Sequence, residues 1–406
     1  MNNSLPNPVS EASPPSATYE NAICLICAEK RLVPLPAFQT LLRITSDCRI
    51  FPAGGRLAVC GACGGVQKYP DAHWLGEIGT IYAGYAAYYQ ADGDEQVIMD
   101  SRTGTVRRRS DVIIERLFES NRLPAAGKAL DIGCGSGVTL SAISKIFPGW
   151  HLYGQDLDDR NRARLEGVAG FEKLFVCKPA EIEGRFDLIT LIHSLEHFPA
   201  PGALLEQLRT KLIPNGVLLV QVCDTLRNPY DLLIADHLTH FSADTLRLLA
   251  ENSGMSVAAV ETAWVGKELS MVATSHKNGV STQPMPSRDG GAAIDRVRSQ
   301  LAWLTNMARD ASVEASTTPD FGIFGTSICA TWLSGMMADK VRFFVDEDPS
   351  RQGKTFMDKP ILSPAEVSSG SKVYMALVPE IAARISQRLG PLSLQLIQPP
   401  AFTFHG

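Results

Sequence analysis

Long apolar runs are missing from this sequence: no uninterrupted stretch approaches the ~20 residues of a membrane-spanning helix, so no membrane partner is expected. Positive charge is also scarce. The 38 Lys and Arg stand against 43 Asp and Glu, a formal net charge of −5. Without a basic excess or a Lys/Arg cluster the chain lacks the electrostatic footprint of nucleic-acid binding, and DNA and RNA are excluded as expected partners. Residues 1–20 are rich in Asn, Ser and Pro, with no basic flank leading into an apolar stretch. They read as a disordered tail and not as a targeting signal. These absences lead to the expectation of a cytoplasmic protein acting on a small molecule, monomer or homodimer.

What is present is arranged in blocks. With roughly 150 residues per domain as a guide, a chain of 406 residues holds two or three. The expected division is a zinc-binding domain over 21–70, a helical connector over 71–127, an α/β domain over 128–274, a linker over 275–291 and a smaller α/β domain over 292–406. In the middle block apolar strand-like runs alternate with helical stretches, the pattern of a parallel sheet covered on both faces. The seven strands expected are Ala129–Ile132, Leu152–Gln155, Lys173–Val176, Leu188–Leu191, Val217–Val222, Ser256–Val260 and Leu269–Ala273. The last block begins with a helix near Ala292–Arg309, followed by strands at Phe321–Phe324, Val341–Val345 and Val373–Leu377.

The first expected strand of the middle block runs into Asp131-Ile132-Gly133-Cys134-Gly135-Ser136-Gly137. Glycines here allow a tight turn whose backbone lies close to a ligand, with a helix N-terminus following. About twenty residues past the last glycine, Asp156 closes the second strand, where an acidic side chain can accept hydrogen bonds from ribose hydroxyls. Phe186-Asp187-Leu188-Ile189 opens a fourth strand, and Leu212-Ile213-Pro214-Asn215-Gly216 precedes a fifth. This series resembles the class I S-adenosylmethionine (SAM) dependent methyltransferases. The resemblance implies a Rossmann-like fold with SAM as cofactor, held by Asp131, Gly133, Gly135, Gly137 and Asp156.

Cys24-Leu25-Ile26-Cys27 and Cys60-Gly61-Ala62-Cys63 form a second constellation. Two residues between paired thiolates let both sulfurs reach one tetrahedral ion, and two such knuckles close a four-cysteine zinc site. With no open position, the ion is expected to serve folding and not chemistry.

A methyl group on a sulfonium needs no electrophilic activation, so the protein supplies alignment and, for a weak nucleophile, a base. Two segments lie where ligands of open α/β sheets bind: His193-Ser194-Leu195-Glu196-His197 after the fourth strand and Asp236-His237-Leu238-Thr239-His240-Phe241-Ser242 after the fifth. Glu196 and His197 are read as local hydrogen-bonding scaffold.

The zinc knuckles, the SAM domain and the C-terminal block, with its Val345-Asp346-Glu347-Asp348-Pro349, together resemble the sugar C-methyltransferases that act on nucleotide-linked 4-ketosugars. That resemblance implies an acceptor that is a nucleotide sugar and makes His237, with Asp236 where the family has Glu, the base that forms an enolate. It also implies an oxyanion-stabilising tyrosine after the zinc domain; the connector offers Tyr82, Tyr85, Tyr88 and Tyr89, with Tyr85 or Tyr88 favoured. Gly266-Lys267-Glu268-Leu269-Ser270 departs from the family's glycine-rich turn by carrying two charges. The alternative readings are O- or N-methylation of a saccharide or natural product, and a non-catalytic SAM-binding scaffold.

Overall fold

The computed structural model describes residues 22–84, 95, 97–100, 102–275, 289–392 and 394–403. Its centre is a seven-stranded sheet of β1 (Lys128–Ile132), β2 (His151–Asp156), β3 (Phe171–Val176), β4 (Phe186–Ile192), β5 (Leu212–Cys223), β6 (Ser256–Glu261) and β7 (Glu268–Thr274), in spatial order β3-β2-β1-β4-β5-β7-β6. All seven strands read from the sequence are therefore present. One correction applies to the parallel sheet expected there: β7 runs antiparallel to both β5 and β6. The chain between β6 and β7 is too short for the crossover of a dozen or more residues that a parallel pair requires. Strand order reverses between β1 and β4, and open α/β sheets form ligand crevices at the carboxyl ends of strands beside such a switch point.

The N-terminal residues form a small sheet in which Leu32–Pro34, Ala58–Cys60 and Val66–Gln67 are joined by Thr239–His240, a strand contributed by the loop after β5. The same loop is tied at further points. Lys68 N donates to Leu238 O at 2.7 Å, Ala235 N to Ile44 O at 2.7 Å, and Leu238 N to Glu196 O at 2.7 Å. A helix over Ala72–Ala83 follows, its N-terminus capped by the Asp71 side chain. Beyond it come a hairpin of Val97–Met99 with Val106–Arg108 and a helix over Arg109–Glu119, neither anticipated from the sequence.

The C-terminal residues build a six-stranded sheet in the order Thr355–Phe356, Lys359–Leu362, Val341–Val345, Phe321–Phe324, Lys372–Met375, Gln395–Ile397. Three of these strands match the sequence reading and three were not expected. This unit is not a separate core. Buried Leu35, Phe38 and Leu57 from the N-terminal segment share one apolar cluster with Leu301, Phe321 and Trp332. The helix Gly290–Ala315 begins against the second cysteine knuckle, where a Cβ on Gly290 would lie 2.3 Å from the Gly61 backbone. Among the described residues no helix is long and apolar enough to cross a membrane.

Candidate active site

The turn after β1 holds three glycines in left-handed conformations, with φ of +71° at Gly133, +49° at Gly135 and +80° at Gly137. Only glycine adopts this region without steric cost. A Cβ at Gly133 would lie 3.0 Å from the Ser194 Cβ, and one at Gly137 would lie 2.6 Å from Leu165 Cδ2. The turn therefore stays close to the backbone after β4 while a helix over Val138–Ile146 starts from Gly137. Asp131 is buried, accepts from Thr190 Oγ1 at 2.6 Å, and is pushed up to about 7 by burial. A cationic ligand group beside it would restore the ionised form. Asp156 accepts from Gly135 N at 2.8 Å and Leu157 N at 2.7 Å, which braces the turn against the end of β2 and leaves each oxygen a lone pair.

Asp131, Gly133, Gly135 and Asp156 line one cavity of about 1140 Å³, and His193, His197 and His237 line it too. That volume exceeds the roughly 300–1,000 Å³ of one small-molecule site, so it has room for a methyl donor and an acceptor together. The glycine conformations, buried Asp131 and Asp156 at the end of β2 fit the SAM that a methyltransferase domain uses. Lys178, Pro179 and Ala180, the segment after β3, line the same cavity.

His237 is positioned by a carboxylate that sequence reasoning missed. Its Nδ1 lies 2.6 Å from Asp231 Oδ1, and His240 Nδ1 lies 2.7 Å from Asp231 Oδ2. Burial favours a neutral Asp231, but the two imidazoles outweigh it and hold the carboxyl well below the usual carboxylate range. An ionised carboxylate only accepts, so both Nδ1 atoms donate to it. In neutral His237 the lone pair is then on Nε2. Burial alone would lower the His237 pKa; the charge of Asp231 reverses this and raises it.

Behind this pair, fully buried Lys68 donates to Ile234 O and His237 O, both at 2.6 Å, and faces His240 Nε2 at 3.1 Å. Burial pushes Lys68 down to about 7 and His240, which also feels the lysine charge, down to about 4. Both histidines thus bind Asp231; neither caps the helix over Ala243–Asn252, whose N-cap is Ser242 in a capping box with Thr245.

Asp236 has a different position from the one its pairing with His237 suggested. Its carboxylate accepts from Ser46 N at 2.8 Å and Ser46 Oγ at 2.5 Å, and lies 3.4 Å from His197 Nδ1. It ties the N-terminal segment to the histidine cluster and makes no hydrogen bond to the His237 ring. His197 packs edge-on against His237, with ring centroids 4.7 Å apart. Its Nδ1 lies 3.0 Å from Asp236 O and 3.1 Å from the Tyr82 hydroxyl. Of the candidate tyrosines, Tyr82 reaches the cavity wall, while Tyr85, Tyr88 and Tyr89 lie outside the described residues.

Glu196 is buried beside these rings with His193 Nδ1 3.3 Å from its Oε1, and the neighbouring histidines hold it ionised against burial. The charged Glu268 is accounted for as well: it accepts from Gln221 Nε2 at 2.7 Å and pairs with His193 at 3.1 Å and Arg109 at 3.3 Å.

The four cysteine sulfurs also converge. Cys24 and Cys63 Sγ are 3.6 Å apart, as are Cys27 and Cys60, and one ligand atom from each lies within 4.8 Å of all the others. Tetrahedral zinc with bonds of ~2.3 Å sets sulfurs ~3.8 Å apart. The amides of Ile26, Ala62 and Gly65 each point at a knuckle sulfur at 3.4 Å, as thiolates require. The set fits one closed ion site.

Comparison with known proteins gives the fold a family context. A family model described as a methyltransferase domain matches residues 104–260. A ubiquinone biosynthesis O-methyltransferase from Marinobacter nauticus is 30% identical over 129 residues, 29% of this chain and 52% of that protein. An uncharacterized protein from a Synechococcus strain is 30% identical over 116 residues, 26% of this chain and 28% of its own length. The chain thus spans about half or less of these relatives. Among solved structures, the mitomycin 7-O-methyltransferase MmcR is 21% identical with a TM-score of 0.35, covering 41% of this chain and 52% of its own. The middle of this chain is a SAM-dependent methyltransferase domain of class I.

Proposed function

We propose that the protein transfers a methyl group from SAM to a carbon beside the keto group of a nucleotide-linked sugar, with His237 as the base. The observation that carries this reading is the buried Asp231–His237 pair, with His237 on the wall of the cavity that holds the glycine turn. SAM supplies the methyl on its sulfonium. His237 Nε2 takes the proton beside the acceptor carbonyl, and Asp231 stabilises the imidazolium that results. Tyr82, which lines the same cavity, would donate its hydroxyl to the developing oxyanion. The four-cysteine site holds zinc in a structural role. Asp131, Gly133, Gly135, Gly137 and Asp156 hold the donor.

Incubating the protein and a nucleotide-linked 4-ketosugar in D₂O tests the carbon acid directly: a carbon-bound proton is expected to exchange, and His237→Ala to stop it. The relatives named as O-methyltransferases favour a second reading, in which the same pair deprotonates a hydroxyl. Methyl transfer to an alcohol or phenol without carbon exchange would decide for that one.

A further inference from the structure

The turn joining β6 to β7 holds a lysine where the backbone asks for glycine. Lys267 has φ of +67°, in the left-handed region that costs an L-residue energy, although Gly266 stands one position earlier. Its carbonyl accepts from Asp224 N at 2.9 Å, which fixes the turn. Residues kept in such conformations cluster where the surrounding structure has a use for the side chain.

Lys267 lines the cavity, and among the described residues its amine has no hydrogen bond and no ion pair. The nearest acid in sequence, Glu268, is already engaged by Gln221, His193 and Arg109. The other lysine placed inside the protein, Lys68, has its amine fully engaged. Ser327, Ile328 and Cys329, the start of the helix Ile328–Met337, line the same cavity, and the Cys329 thiol is close enough to act on the Lys267 amine. First-turn amides of a helix have no acceptor within it, and this first turn carries no acidic residue.

We infer that Lys267 anchors an anionic group, a carboxylate or a phosphate, carried by the methyl acceptor. This rests on the reading that the acceptor occupies the cavity. It places the acceptor's charge toward the C-terminal unit, away from the glycine turn, and it makes the two-charge departure in this turn a specificity element. Burial of the amine lowers the Lys267 pKa, and an arriving anion would restore its charge.

The test titrates the purified full chain with inorganic pyrophosphate and, separately, with malonate, by calorimetry. At least one is expected to bind, and Lys267→Met to weaken it about tenfold or more, with the SAM dissociation constant unchanged. A pyrophosphate preference assigns a phosphate, and a malonate preference a carboxylate. Lys267→Gly relieves the backbone conformation, so it is expected to melt higher than the unsubstituted protein while losing the anion as fully as Lys267→Met. The inference is overturned if neither anion binds, if Lys267→Met binds as well as the unsubstituted protein, or if Lys267→Gly melts lower. Because neither acceptor nor base takes part, a failed deuterium exchange would sink the carbon-acid reading and leave this one standing.

Discussion

Replacing Asp231 by Asn is the sharpest perturbation of the base. The carboxylate is buried and accepts from His237 at 2.6 Å and His240 at 2.7 Å. Two unit charges about 4 Å apart at an effective dielectric of about 20 interact by about 4 kcal/mol. A neutral amide would return about 1 kcal/mol through its hydrogen bond. The imidazolium formed during proton abstraction therefore loses about 3 kcal/mol, a rate about 100-fold slower at 1.4 kcal/mol per tenfold. The amide has one oxygen for two Nδ1 donors, so one ring must also change tautomer.

The pH dependence carries a second signature. His237 must be neutral to act, and Asp231 raises its pKa above 6.5, so the rate should climb as pH rises through that raised value. Its charged form contributes stability that is full below 6.5 and lost over the same rise. In Asp231→Asn burial is opposed only by the charges of Glu196 and Asp236, and the acid limb of the profile is expected to move to lower pH than in the unsubstituted protein. Deuterium exchange measured against pH, with nitrogen-15 spectra reporting the histidine tautomers, reads both effects. If the variant binds SAM normally, exchanges within threefold of the unsubstituted rate and keeps the same acid limb, Asp231 does not support the base.

Gly137→Ala should cost about 1–2 kcal/mol of stability for the left-handed backbone alone. Its Cβ also meets Leu165 Cδ2 at 2.6 Å, so calorimetry should show SAM affinity reduced about tenfold. Metal analysis of the purified protein should return a zinc content near one per chain. Stripping that metal with a chelator should lower the melting temperature and slow exchange together, because Thr239–His240 pairs with Val66–Gln67; unchanged exchange in metal-free protein would contradict the coupling.

The central sheet was legible because its strands are apolar runs bounded by glycine and acid, as at Leu130-Asp131-Ile132-Gly133. The C-terminal hairpin was not: its turn residues, Met357 and Asp358, take φ of +50° and +60° without the Asn-Gly or Asp-Gly pair that announces such a turn. At the site, His237 could be read from its place after the fifth strand. Asp231 could not, because it sits in an apolar run, Pro229–Leu233, whose short helical turn aims it at two later histidines. A single acid amid Tyr230, Leu232 and Leu233 was the available signal. Lys68 was hidden for a related reason: its partners are mostly backbone carbonyls 166 and 169 residues away, which no local pattern encodes.

That the small N-terminal sheet takes its last strand from Thr239–His240 bears on how the chain is made. Residues 22–70 leave the ribosome before their partners, and the sheet edge at Val66–Gln67 stays unpaired until about 170 more residues have been synthesised; Lys68 must wait for the same segment before its amine has acceptors. The knuckles can take up an ion long before then. An early-loaded metal would give the nascent chain a fixed point onto which the later loop docks, bringing Asp231, His237 and His240 against Lys68.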